Sequence, residues 1–120
     1  MKKEFRIKRN EEFQEIIENR RRVSSAVFVV YYRQNEQKKL RIGISVGKKL
    51  GNAVERNLVK RQLRAMLREN LDFSCPCDLI VIVRAPFREQ DFAANRKDLL
   101  HLIKKIKIEE QYSLIRKETV

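Results

Sequence analysis

The chain has 120 residues, enough for one domain spanning residues 1–120 with a modest core and too few for two. Apolar residues make up 42% and aromatics 8%, so that core is expected to be largely aliphatic; 28 Lys plus Arg against 16 Asp plus Glu give a formal net charge of +12, which points to a polyanion or an acidic surface as partner. No apolar run approaches the roughly 20 residues of a membrane-spanning helix, and the opening Met1, Lys2, Lys3, Glu4, Phe5 continues into charge rather than into the apolar stretch of a signal peptide, so a cytoplasmic protein with no membrane partner is expected.

Asn10 is placed to cap a first helix over about residues 11–19, with Phe13, Ile16 and Ile17 as its apolar stripe. The cluster Arg20, Arg21 and Arg22 follows. Residues 26–32 are rich in β-branched and aromatic side chains and read as a strand; both parities are apolar, so both of its faces must touch something. A polar connection over 33–39 leads to residues 40–46, where Leu40, Ile42, Ile44 and Val46 alternate with small or charged residues as in a half-buried strand. Asn52 followed three residues later by Glu55 is an Asn version of the capping box, so a second helix starts near Ala53 and fades near Asn70. Residues 78–84 hold a continuous apolar run suited to an interior strand, which Pro86 ends. A last helix over about 91–106 carries Phe92, Leu99, Leu102, Ile103 and Ile106 at helical spacing, and the tail from Glu109 onward extends it weakly. This order predicts an α+β or split α/β protein, with helices against one face of a small mixed sheet and the other face open.

Cys75 and Cys77 flank Pro76 without a second ligand pair, and the only histidine, His101, is distant in sequence. Reduced structural thiols fit this spacing better than a zinc site or a disulfide.

The second helix carries the chemistry. At roughly 100° per residue, Arg56, Lys60, Arg64, Asn57, Arg68 and Arg61 fall in that order within an arc of about 140°, while Leu58, Val59, Leu63 and Met66 lie mostly on the remaining surface. No Asp or Glu stands between Arg56 and Arg68, so the salt-bridge partners of an ordinary solvated face are missing. A face of mutually repelling cations needs an external polyanion, and nucleic acid fits it best.

The run Lys48-Lys49-Leu50-Gly51-Asn52-Ala53-Val54, followed by Arg56-Asn57 and then Lys60-Arg61 and Arg64 at fixed spacing, resembles the signature of the bacterial ribonuclease P protein subunit. The resemblance extends from the opening helix at Arg9 and Phe13, through Phe28, Val29, Val30 and Tyr31, to the final amphipathic helix. It implies an αβββαβα mixed sheet with a left-handed βαβ crossover, an architecture shared with a ribosomal-protein domain, where the usual preference is right-handed. It also implies a protein that binds a catalytic RNA subunit and the 5′ leader of precursor tRNA, assisting the endonucleolytic removal of that leader, with no catalytic residue of its own and no obligate protein partner.

On this resemblance Lys48, Lys49, Asn52, Arg56, Asn57, Lys60, Arg61, Arg64 and Arg68 face the RNA subunit, and Phe13, Ile17 and Tyr31 line a cleft for the leader. Ile17 stands where family members often carry a second aromatic. From the residues alone Phe13 reads as a core side chain and Asn52 as a cap; Phe28 and Tyr32, on the opposite parity from Tyr31, read as core. Mg²⁺ is implied for the holoenzyme, held chiefly by RNA phosphates, and no ligand in this chain is assigned. A ribosomal-type binding module would share the charge but not the matched turn and helix. A free-standing nuclease would need a tuned acid and base or converging acidic ligands, whereas the chain offers one histidine among leucines and Asp78 without a sequence-evident partner.

Overall fold

A computed structural model describes residues 2–106 and 113–116. Helix α1 (Asn10–Glu18) begins one residue early: Arg9 occupies the cap position without a side-chain bond and Asn10 is already helical, so the expected Asn10 cap is not made. Strand β1 (Arg22–Ser24) emerges from the arginine cluster and pairs antiparallel with β2 (Phe28–Gln34), Arg22 opposite Tyr31. Strand β2 starts and ends two residues later than its apolar run, because Arg33 and Gln34 find partners in Asp78 and Cys77. After β3 (Arg41–Val46) comes α2 (Ala53–Asn70), which begins and ends as its cap and periodicity predict. The Asn52 side chain accepts from the Glu55 N–H at 2.9 Å and Glu55 Oε1 accepts from the Asn52 N–H at 3.1 Å, completing the capping box. Strand β4 (Cys77–Val83) and α3 (Phe92–Ile103) follow; Asp91 caps α3 by accepting from the Ala94 N–H, and Glu109 lies outside the described residues.

The strands order β1-β2-β4-β3, with β4 antiparallel to β2 and parallel to β3. Parity then sorts the two faces of the sheet. Phe28 and Val30, Ile42 and Val46, and Leu79, Val81 and Val83 pack with Val59, Leu63, Met66 and Leu67 of α2 and Leu99, Leu102 and Ile103 of α3 in the main core. On the other parity Ile80 joins Ile7 and Ile16 in a small cluster edged by Phe13, Tyr31 and Ile82. The expectation of helices on one face therefore holds for α2 and α3 and is corrected for α1, which covers part of the opposite face. Leu58 and Phe92 also depart from expectation, at 51% and 44% exposure. The buried stripe of α2 runs through Val59, Leu63, Met66 and Leu67 and leaves Leu58 outside; Phe92 opens the first turn of α3, ahead of its core residues. Ile106 is buried as expected, just beyond the end of α3.

Charge docks α1 alongside its apolar contacts. Asp78, 0% exposed, accepts from Arg33 Nε at 3.1 Å, Arg41 Nε at 3.0 Å, Arg41 Nη2 at 2.9 Å and Asn35 Nδ2 at 2.8 Å. The far sides of the two guanidiniums reach α1, Arg41 Nη1 to Glu12 at 2.7 Å and Arg33 Nη1 to Glu15 at 3.4 Å. A buried carboxylate without such partners would cost several kcal/mol, and its hydrogen bonds and charge in turn raise the pKa of Arg41. No helix among the described residues is long and apolar enough to cross a membrane.

Candidate nucleic-acid interface

Because α1 leaves part of its sheet face open, a cleft of about 620 Å³ lies between them, lined by Ile7, Phe13, Gln14, Ile17, Ile80 and Ile82 together with Lys8 and Lys60. A second hollow of about 470 Å³ is lined by Ile17, Glu18, Arg20, Arg22 and Tyr31. Ile17 lines both, so the two hollows are neighbours and are taken together as a trough, with Phe13, Lys8 and Lys60 in one part and Tyr31, Glu18, Arg20 and Arg22 in the other. Phe13 and Tyr31 are both half-buried: each packs against the small cluster and each also lines the trough, so each ring is at once a packing side chain and part of a cleft wall. Across the sheet, Phe28 is fully buried against Phe87 and Tyr32 packs on the main core, as their parity predicts. Half-exposed rings beside cations suit unpaired nucleobases, which stack with little demand for sequence.

The cations of α2 and of the turn before it separate into distinct places. Lys48 and Lys49 are exposed on a single 3-10 turn (Lys48–Leu50), which Gly51 closes at φ 119°, a backbone conformation that favours glycine. Asn52 is occupied as the cap. Asn57, Arg61, Arg64 and Arg68 line a groove of about 420 Å³ that also takes Arg6 from the N-terminal segment and no carboxylate. Burial, and then the charge of Arg6, lower the pKa of Arg64. Lys60 turns instead into the α1 cleft. Arg56 is half-buried and its Nε, like that of Arg6, has no hydrogen-bond partner. A groove rich in N–H donors and without a carboxylate is suited to phosphate oxygens.

The titratable groups outside the groove and trough are placed differently. Among the described residues no three His, Cys, Asp or Glu side chains gather as metal ligands. His101 is exposed on α3, and Asp78 is consumed by its arginines. Cys75 and Cys77 are buried free thiols; burial pushes Cys75 up to about 11 and raises Cys77 as well, so neither is a ready thiolate. The residue reading missed Arg6 and Lys8, and noted Arg20 and Arg22 without a role. All four lie outside α1 and α2, where no helical periodicity marks a charged face.

The family model described as ribonuclease P matches residues 1–107. The ribonuclease P protein component of Mycoplasma mycoides is 46% identical over 109 residues, covering 89% of this chain and 100% of that protein. That of Streptococcus mutans is 41% identical over 118 residues, covering 98% and 99%. Among solved structures, the RNase P protein of Staphylococcus aureus aligns with a TM-score of 0.76 at 38% identity over 83% of this chain and 93% of that one. The Thermotoga maritima RNase P protein gives 0.75 at 32% identity over 85% and 97%. Sequence and mixed α+β sheet agree from end to end of these relatives, and the chain belongs to the ribonuclease P protein family, the protein component of a tRNA-processing endoribonuclease.

Proposed function

We propose that this protein assembles with the ribonuclease P RNA subunit and helps it remove the 5′ leader from precursor tRNA, the phosphodiester chemistry residing in the RNA. The observation that carries this reading is the presence of two different surfaces on one small domain: a groove of cations without a carboxylate, and a trough that combines Phe13, Ile17 and Tyr31 with cations. The groove suits the phosphates of a folded RNA, and the trough suits unpaired leader bases. Asn57, Arg61, Arg64 and Arg68 would meet the RNA subunit from the groove, with Lys48 and Lys49 beside the start of α2 and Arg56 at the edge of its core-facing side. Asn52 contributes by holding the helix start, and Lys60 is placed to serve the trough as well. Mg²⁺ in the holoenzyme is assigned chiefly to RNA phosphates, which offer the hard oxygen ligands this ion prefers. The work is assigned to the cytoplasm.

Reconstitution tests this directly. Leader removal is measured with the protein alone, the RNA subunit alone and the two together in Mg²⁺. Specific cleavage only where the RNA subunit is present, improved by the protein, supports the proposal; specific cleavage by purified protein alone overturns it.

A further inference from the structure

The Phe13 ring rests against Gly43, a residue that lines neither surface. At Gly43 of β3 an added Cβ would lie 2.5 Å from Phe13 Cζ, 2.9 Å from Phe13 Cε2 and 2.8 Å from Ile80 Cδ1, so a side chain there crowds Phe13 and Ile80 alike and both must give way. One residue before Phe13, Glu12 accepts from Arg41, which stands two residues before Gly43 on the same face of β3. Arg41 is 11% exposed at its side chain, and both oxygens of the fully buried Asp78 hold its Nε and Nη2. A planar guanidinium pinned on that side has one direction left for Nη1, and Glu12 lies along it.

The apolar footprint of α1 is small, centred on Ile16 with Ile7 and Ile80. Ile16 and the longer, exposed Arg33–Glu15 pair hold the second half of α1, and the height of its first half is set at two adjacent residues: Glu12 by a tether of fixed direction, Phe13 by a glycine floor. We propose that Gly43 and the Asp78–Arg41–Glu12 chain are positioning residues that fix the Phe13 ring in the trough and thereby set how well the holoenzyme distinguishes precursor from mature tRNA. The second half of this proposal rests on the leader-binding reading above.

The test places para-fluorophenylalanine at position 13 and reads its fluorine resonance in the free protein, in the parent, Gly43→Ala and Glu12→Asp. Glu12→Asp keeps the charge and leaves Asp78 paired, so it gives a folded variant even where Gly43→Ala does not. Glu15→Asp, altering the exposed pair with Arg33 at 3.4 Å, is the control. The expected result is a displaced resonance in both test variants and not in the control. In reconstituted holoenzymes without the label, the preference for precursor over mature tRNA falls about fivefold or more in Gly43→Ala, the low end of one lost base stack, and by less in Glu12→Asp. An unmoved resonance in the folded variants overturns the positioning role. A displaced resonance with unchanged preference overturns the link to discrimination; if Phe13→Ala also leaves the preference unchanged, the leader reading itself fails.

Discussion

Arg64 is crowded by like charge: Arg61 precedes it and Arg68 follows it by about a helical turn, and Arg6 shares the groove. Like charges at such spacings destabilise a helix by about 0.2–0.5 kcal/mol per pair, and the half-exposed position, screened by solvent, brings the sum to about 0.5–1 kcal/mol. A cation whose folded pKa is lowered opposes folding wherever it is protonated, and that penalty is fully present at neutral pH, fading only as pH rises through the lowered value. Arg64→Met keeps much of the apolar stem and removes the charge, so the melting temperature is expected to rise by about 2–4 °C. The gain should shrink at high salt, as the Debye length falls from about 10 Å at 0.1 M to about 3 Å at 1 M. Binding to the RNA subunit should move the other way, with a log–log salt slope shallower by about 0.7–0.9. The ratio of mutant to parent Kd then narrows about threefold for each fourfold rise in salt. Thermal melts at low and high salt, paired with anisotropy titrations against the RNA subunit over a salt series, measure both effects. A variant that melts lower at low salt refutes the repulsion argument, and a parental salt slope removes the groove from the interface.

Phe13→Ala and Tyr31→Ala are expected to weaken holoenzyme binding of precursor tRNA by about 1–3 kcal/mol per lost base stack while leaving mature tRNA nearly unaffected, as read in paired binding titrations on variants whose melts show them folded. Asn52→Ala removes the side-chain acceptor of the capping box, while the residue 52 backbone N–H can still donate to Glu55, and should lower stability by about 1 kcal/mol, measured by urea denaturation, with faster amide exchange in the first turn of α2 as the local sign. Cys75, raised from 9.0 to about 11 by burial, is expected to resist thiol reagents in the native state at pH 8 and to react on unfolding. Because the folded state holds the neutral thiol, this contribution to stability is complete below pH 9 and is lost as pH rises toward about 11, which denaturation curves across that range would record.

What could be read from the sequence was local. The capping box and the limits of α2 follow from residues within a turn of one another, and the core parity of Phe28 and Tyr32 follows from strand alternation. Strand β1 was invisible to residue patterning because three residues carry too little alternation; its existence depends on pairing with β2, and only the family resemblance supplied it. The partners of Asp78 lie 37 to 45 residues away, so no window around it could reveal them. Lys60 was grouped with the α2 arginines by its angle, but Leu67 projects between Arg56 and Lys60 on the same wheel and is fully buried, which draws both of those cations toward the protein. Both apolar parities of β2 indicated that each face is covered without indicating that α1 covers one of them.

Strand β4 is the last to be synthesised and the one that belongs in the middle. Until it emerges, β2 and β3 have no hydrogen-bonding partner in each other, since β4 separates them in the finished sheet. A nascent chain ending near residue 76 thus presents open strand edges on both sides of the future gap, each a template for pairing with another chain, while α2 is complete and its cations are already displayed. Insertion of β4 closes both edges and brings Asp78 to the arginines of β2 and β3, so completing the sheet and pairing that carboxylate require the same strand. Chains cut short before residue 77 are therefore expected to aggregate, and more so where RNA concentrates them through α2.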